Sequence, residues 1–430
     1  MHYLKSGFSF GGPIEQILPN ELWTQSGQLP AFLPPLDTDA HFMLEALKES
    51  LSSVGISNPN PAVGCVLVDA DGVEISRGST QVYLGAHAER NAFSKVLNPQ
   101  QLNGATAYVT LEPCSHHGNQ PPCVDLFTSS KIKRVVISRM DPNPLISGEG
   151  IRRLQEAGIE VSLGLNHAET TAWNFPFFAY QRVKRPIFIL KWAQTLDGQL
   201  ADDEDQSQWI TGPIARSYTH WLRQKYDTLL VGAGTLLADH PKLSVRDCGL
   251  PHQAQPLPII FDPKGRLFDI KKKEREDVCR NTLTEGRKFV YITTQKAFKT
   301  HSNSWITQLA SGSILTLSEP TSNSTDDGTG LIHELTSLMR GTEFAKILGR
   351  PLQSVMIEGG AQTLSLFLRA GYADLLHVFL APLISGGQKN RIQLMHLLKN
   401  SNRFELISNH RLGPDTVMEM INSKFQDLFK

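Results

Sequence analysis

His87, Glu89, Cys114 and Cys123 are the residues whose types and spacing could do chemistry. One imidazole and two thiolates supply three corners of a tetrahedral zinc site and leave the fourth to water, the pattern of a catalytic rather than a structural zinc. Glu89 stands two residues from the nearest ligand. A carboxyl there would bond the water rather than the metal, take its proton and hand it to a departing amine, which is the chemistry of a zinc deaminase. His-x-Glu alone arises by chance in a chain of this length, but Pro113-Cys114 followed after eight residues by Cys123 makes the set specific. His116 and His117 would close the zinc if they bound it, so they read as loop or substrate contacts. Cys65 lies in an apolar run and reads as core, and Cys248 and Cys279 have no partner at metal spacing.

The elements that must position these residues follow from periodicity. Phe42, Leu44, Leu47 and Leu51 have near-helical spacing and lead into the turn Ser57-Asn58-Pro59-Asn60-Pro61. Ala62–Val68 and Val73–Ser76 read as a hairpin. Helices are expected at Ala88–Leu97, Pro122–Ser129 and Gly150–Ala157, alternating with strands at Ala105–Leu111, Arg134–Ser138 and Ile159–Leu163, a rhythm that means a sheet with helices on its faces. His87 and Glu89 then open one helix, and Cys114 and Cys123 sit near the start of another, where the helix dipole favours thiolate. A second α/β series starts at Ile187, with strands near Ile187–Ala193, Thr228–Val231, Ile259–Phe261, Phe289–Ile292, Ser354–Ile357 and Leu375–Ala381, and helices near Pro213–Arg223 and Ala361–Ala370.

The resulting division is an extension over 1–36, a zinc-dependent deaminase domain over 37–165, an aromatic connector over 166–185 and a second domain over 186–425. Lys and Arg total 42, as do Asp and Glu, so no net positive field draws nucleic acid or an anionic membrane. No apolar run approaches the ~20 residues of a membrane span, and the opening residues show no secretory signal. Five cysteines, an odd number, fit a reducing cytosol better than a disulfide framework. Gly232-Ala233-Gly234 and Gly148-Glu149-Gly150 begin like a Rossmann turn, but neither completes the fingerprint.

With these motifs in hand, the sequence resembles the bifunctional riboflavin-biosynthesis deaminase–reductase family, RibD. The likeness rests on Asn58-Pro59-Asn60-Pro61, His87-Ala88-Glu89, the run from Thr110 to Gly118 and Pro121-Pro122-Cys123, and in the second half on Leu196-Asp197-Gly198, Ser207-Gln208-Trp209-Ile210-Thr211, Ala238-Asp239, Leu243-Ser244-Val245-Arg246 and Glu358-Gly359-Gly360. It implies a cytidine-deaminase-like three-layer α/β domain followed by a dihydrofolate-reductase-like α/β domain. The implied cofactors are one Zn2+ per chain and NADPH, and the implied substrate is a small phosphorylated aminopyrimidine, deaminated first and then reduced at its ribosyl group. Carried over position by position, His87, Cys114 and Cys123 hold zinc, Glu89 is catalytic and Asn60 holds the ring edge. Lys191, Ser207, Arg223, Leu243, Arg246 and Glu358 meet the phosphorylated substrate, while Gln194, Trp209, Thr235, Asp239 and Gly360 surround NADPH. His240, Gln362 and the segment 271–286 depart from the family pattern. A cytoplasmic enzyme without nucleic-acid or membrane partners is expected, with a homodimer or homotetramer left open. Two other readings compete: a deaminase carrying a non-catalytic second domain, which intact Asp197, Asp239 and Glu358 oppose, and a nucleic-acid base deaminase, which zero net charge and the long cysteine spacing oppose.

Overall fold

The computed structural model describes residues 38–118, 120–143, 147–201, 209–246, 254–278, 287–301, 304–309, 313–318, 328–387, 391–392 and 403–429, with the two-residue strands Phe8–Ser9 and Gly12–Pro13 before them. The rest of the expected extension over 1–36 lies outside the described residues, as do Ser207, Cys248 and Cys279. The chain divides into two compact units, one built mainly from 28–184 and the other mainly from 185–426.

In the first unit the elements are α1 (Thr38–Glu49), β1 (Gly64–Val68), β2 (Glu74–Ser79), α2 (Ala88–Phe93), β3 (Thr106–Val109), α3 (Val124–Ser129), β4 (Arg134–Ile137), α4 (Glu149–Glu156) and β5 (Glu160–Leu163). The strands form one sheet in the order β2-β1-β3-β4-β5, antiparallel as far as β3 and parallel beyond. Alternation decides the layers. Cys65, Leu67, Ala107, Val109, Val135 and Ile137 share a core with Ala88 and Ala92 of α2, Val124 and Phe127 of α3 and Leu154 of α4. The intervening Val66, Val68, Tyr108 and Val136 bury Phe42, Met43 and Ala46 of α1 on the other face. Two glycines let the layers close. A Cβ on Gly64 would fall 1.7 Å from the Ala46 carbonyl oxygen, and one on Gly78 would fall 2.2 Å from the Ala92 nitrogen.

The aromatic segment read as a connector is helical and sits in this first unit. It forms α5 (His167–Trp173) and α6 (Phe175–Val183), and Trp173, Phe175 and Phe178 are buried. Phe178 joins the core beneath α2 and α3.

The second unit contains β6 (Ile187–Gln194), α7 (Pro213–Lys225), β7 (Thr228–Gly232), α8 (Ala233–Asp239), β8 (Leu257–Phe261), β9 (Val290–Thr294), β10 (Ile314–Leu317), α9 (Thr329–Arg340), β11 (Ser354–Glu358), α10 (Ala361–Arg369), β12 (Leu375–Leu380), β13 (Phe404–Leu412) and β14 (Asp415–Asn422). Shorter helices lie at Lys272–Val278 and Gln295–Thr300. Among the described residues the sheet order is β10-β9-β8-β7-β11-β6-β12-β14-β13, parallel from β10 to β12 and antiparallel thereafter. Phe188, Leu190, Leu230, Val355 and Ile357 pack with Ile332 and Leu335 of α9 and Leu364 and Phe367 of α10. Ile187 and Ile189 are buried on the opposite face, the side of Phe379, against which Tyr218 of α7 packs with ring centroids 6.1 Å apart. Apolar strands buried on both faces are what a mainly parallel sheet requires.

Candidate active sites

His87 stands at the N-terminus of α2 and Cys123 at that of α3, so both candidate ligands are fixed by the ends of core helices. Cys114 lies between β3 and α3, its Sγ accepting the Cys123 backbone N–H at 3.3 Å. His87 Nδ1 stands 3.5 Å from each sulfur, and all three ligand atoms lie within 4.8 Å of one another. Zinc–sulfur bonds of about 2.3 Å and a zinc–nitrogen bond of about 2.0–2.1 Å at the tetrahedral angle give a nitrogen–sulfur edge of about 3.6 Å. The spacing therefore fits zinc. So does the charge pattern. Hydrogen bonding from Cys123, and then from His87, holds the Cys114 thiol down at about 4 despite its burial. Cys114, burial and Glu89 push the Cys123 thiol upward. A dication between the sulfurs removes that opposition and supports both thiolates.

Glu89 is 4% exposed, and burial, followed by the neighbouring Cys114 charge, pushes its carboxyl up to about 7. A group poised there both takes and returns a proton near neutral pH. His116 and His117 are exposed and stand outside the ligand cluster. Cys65 is fully buried in β1. Asn60 is half-buried in the turn before β1, where its backbone N–H donates to the Ser57 carbonyl and its side-chain amide has no partner among the described residues.

Two positioning residues escaped the sequence reading. Glu112 is buried, and its carboxylate accepts four backbone N–H groups: Oε2 those of Asp141 at 3.1 Å and Gly148 at 3.0 Å, Oε1 those of Gly150 at 2.9 Å and Ile151 at 3.3 Å. It thereby fastens the Pro113-Cys114 loop to the first turn of α4, where a negative charge is favoured. Asn174, between α5 and α6, pairs with both backbone groups of Ala62, accepting at 2.8 Å and donating at 3.0 Å, and so fixes the chain just after Asn60. The helical segment over 167–183 thus packs into the first unit and braces the chain that enters β1.

In the second unit a cleft of about 1560 Å³ opens at the carboxyl ends of β6, β7, β8 and β11. That is the end of a parallel sheet where ligands bind. Lys191, Trp209, Arg223, Thr235, Asp239, Leu243, Arg246, Glu358 and Gly360 all line it. Gln194 does not. It accepts the indole N–H of Trp192, a cleft residue, at 2.7 Å. Glu358 and Lys191 are register partners on adjacent strands. Both oxygens of Glu358 are held by Arg223, Nε at 2.7 Å and Nη2 at 2.8 Å. Burial opposes this ionisation, yet Arg223, followed by Lys191, keeps the carboxyl down at about 2. Arg223 is therefore no surface helix residue. Trp209 is no core residue either: it is 66% exposed, with the Arg216 guanidinium 4.4 Å above its ring.

The cleft floor fits a dinucleotide. A Cβ on Gly232 would lie 2.5 Å from Thr363 Oγ1 and one on Gly359 2.9 Å from Thr363 Cβ, so the chain runs close to the helix here. Gly360 caps α10 and donates its own N–H to Thr235 Oγ1 at 2.8 Å, while Ala361 and Gln362, in the first turn, also line the cleft. A helix N-terminus without a side-chain cap, approached through glycines, suits a cofactor phosphate. Of the departures from the family pattern, Gln362 faces the cleft. His240, at the end of α8 with φ +44°, is not part of the lining.

Comparison with known proteins agrees with both halves. Residues 36–139 match the cytidine and deoxycytidylate deaminase zinc-binding region, and residues 186–418 match the RibD C-terminal domain. The riboflavin biosynthesis protein RibD of Actinobacillus pleuropneumoniae is 33% identical over 390 residues, covering 89% of this chain and 95% of its own. That of Escherichia coli K12 is 31% identical over 399 residues, covering 90% and 100%. The solved deaminase/reductase of Thermotoga maritima is 31% identical with a TM-score of 0.69, covering 90% of this chain and 99% of its own. Acinetobacter baumannii RibD, at 29% identity, also gives 0.69, covering 89% and 98%. No helix among the described residues is long and apolar enough to cross a membrane. With a zinc-binding deaminase region in one half and an NADPH-dependent reductase domain in the other, the chain belongs to the RibD family of bifunctional riboflavin-biosynthesis enzymes.

Proposed function

We propose that the first unit deaminates 2,5-diamino-6-(5-phosphoribosylamino)pyrimidin-4-one and that the second reduces the ribosyl group of the product to ribityl. The observation that carries this reading is the junction of a three-ligand cluster with a buried, proton-poised Glu89 in one unit and a glycine-floored, cation-lined cleft in the other. Zinc, when bound, polarises water for attack at neutral pH, and NADPH, when bound, supplies the hydride. His87, Cys114 and Cys123 hold the metal. Glu89 moves the proton to the leaving amine, and Asn60 offers its free amide to the ring edge. In the cleft, Arg223, Arg246 and Lys191 face the phosphorylated sugar, with Leu243 on that wall and Glu358 orienting Arg223, and Ser207 is a further substrate contact by its match to the family motif. Trp209, Thr235, Asp239 and Gly360 take the cofactor side, where Gln194 acts through Trp192. The functional division follows the expected domains, 37–165 with its supporting helices for deamination and 186–425 for reduction. The enzyme is cytoplasmic, acts on small molecules rather than nucleic acid, and assembles as a homodimer or homotetramer. Incubating the purified chain with the diaminopyrimidinone phosphate tests the chemistry: ammonia and a deaminated mass are expected without NADPH, and a further gain of two hydrogens with it. An unchanged substrate mass in both arms overturns the reading.

A further inference from the structure

His220, on α7, lines the same cleft but has no role in the scheme above. The residue is 9% exposed, and its Nδ1 lies 3.0 Å from the carbonyl oxygen of Ser244. Arg223 Nη1 donates to the same oxygen at 3.1 Å and stands 3.4 Å from Nδ1. A carbonyl can only accept, so the shorter contact fixes the tautomer: Nδ1 carries the proton and Nε2 carries a lone pair. Nε2 has no partner among the described residues. Burial, followed by Arg223 and Arg246, holds the imidazole down at about 4, so it stays neutral where the enzyme works. The cationic groups that bear on it, Arg223 and Arg246, only donate, and both oxygens of Glu358 are already engaged by Arg223. A fixed, unprotonated acceptor beside two guanidinium groups complements a ligand that carries both an anion and a hydroxyl.

We propose that His220 Nε2 accepts a hydrogen bond from a sugar hydroxyl of the phosphorylated substrate, making His220 a specificity-determining residue of the reductase cleft. The inference rests on the substrate reading given above. Binding of a hydroxyl and binding of the Ser244 loop make different demands on a replacement. An Asn side chain places its amide nitrogen near the former Nδ1 and keeps the donor to Ser244 while removing the acceptor at Nε2. A Gln side chain places its amide oxygen near the former Nε2 and keeps an acceptor facing the cleft.

The test measures NADPH oxidation by the full-length enzyme and its H220N and H220Q variants, with 5-amino-6-(5-phosphoribosylamino)uracil as substrate. H220N is expected to raise the KM for the sugar phosphate about ten-fold, the loss of one hydrogen bond, with the KM for NADPH unchanged. H220Q is expected to stay within about three-fold of the parent on both. A normal sugar-phosphate KM in H220N, or an H220Q as impaired as H220N, overturns the proposal and leaves His220 only its tie to Ser244. Unimpaired ammonia release by the zinc half in both variants guards against misfolding of the chain. If the parent enzyme does not oxidise NADPH with this substrate, the reading of the cleft itself has failed, a result distinct from failure of the His220 assignment.

Discussion

Replacing Glu112 by Gln should weaken zinc binding although Glu112 touches no metal ligand. The carboxylate accepts four backbone N–H groups, two on each oxygen. Glutamine keeps one acceptor oxygen and turns an NH2 group towards the other two donors, so two charge-assisted bonds are lost and two N–H groups are stranded. At about 1–2 kcal/mol for each stranded, partly buried donor, the clamp weakens by about 2–4 kcal/mol. Felt in full at Cys114, two residues along, that is a loss of about 30- to 1000-fold in zinc affinity. Competition with a chromophoric chelator at neutral pH measures it on the full-length protein, and deaminase turnover should recover at saturating zinc because no catalytic group is touched. Zinc affinity within two-fold of the parent, alongside a lowered melting temperature, would show that the clamp stabilises the fold without positioning the ligand.

Other perturbations follow from the same structure. Gly78→Ala drives a Cβ to 2.2 Å from the Ala92 nitrogen and 2.6 Å from the Ala88 carbonyl. It should push α2 and its ligand off the sheet, costing about 1–3 kcal/mol; normal zinc content in this variant would sink the idea, and NADPH oxidation should survive. Glu89→Gln should keep zinc yet slow deamination by at least ~10²-fold, the low end for general acid–base catalysis, while reducing pre-deaminated substrate normally. Asp239→Ala should do the reverse, and loss of reduction in both folded variants would mean the two sites are interdependent. Glu358 has a depressed carboxyl pKa in the folded chain, so its contribution to stability is present above about pH 4.5 and is lost as the pH falls towards about 2. Denaturant midpoints followed from pH 6 to 2.5 should therefore fall less steeply at the acid end in Glu358→Gln; parallel acid limbs would refute the assignment.

What could be read from the sequence was whatever side-chain type and period reveal. His87, Cys114 and Cys123 announce themselves by the ligands zinc accepts, and the apolar strands of both sheets by alternation or by unbroken runs. Glu112, Asn174 and His220 were silent because their partners are backbone groups far along the chain, as with Ala62 and Asn174, and a backbone partner leaves no trace in residue identity. The hairpin Phe404–Asn422 was missed for a different reason. Its inward face carries Asp415, Val417, Glu419 and Ile421, so the alternation is broken by charge. Glu419 can sit there because the Tyr218 and Ser408 hydroxyls donate to its carboxylate and His377 Nδ1 lies 3.1 Å from it, which no local pattern foretells. The aromatic segment over 166–185 was read as a connector since aromatics in a link mean packing, but only three dimensions show that it packs into the first core.

The packing of the first unit also has a redox consequence. The start of one core helix and the loop fastened to it hold the Cys123 and Cys114 sulfurs within 4.8 Å of each other, and Cys114 ionises readily. A thiolate so placed reacts with hydrogen peroxide to give a sulfenic acid and hydroxide. The second thiol then attacks the sulfenic sulfur and releases water to close a disulfide, removing two ligands at once. Zinc in the intact enzyme therefore also shields the sulfurs that hold it. Stripped of metal in air, the chain should lose its capacity to rebind zinc until a thiol reductant reopens the bond.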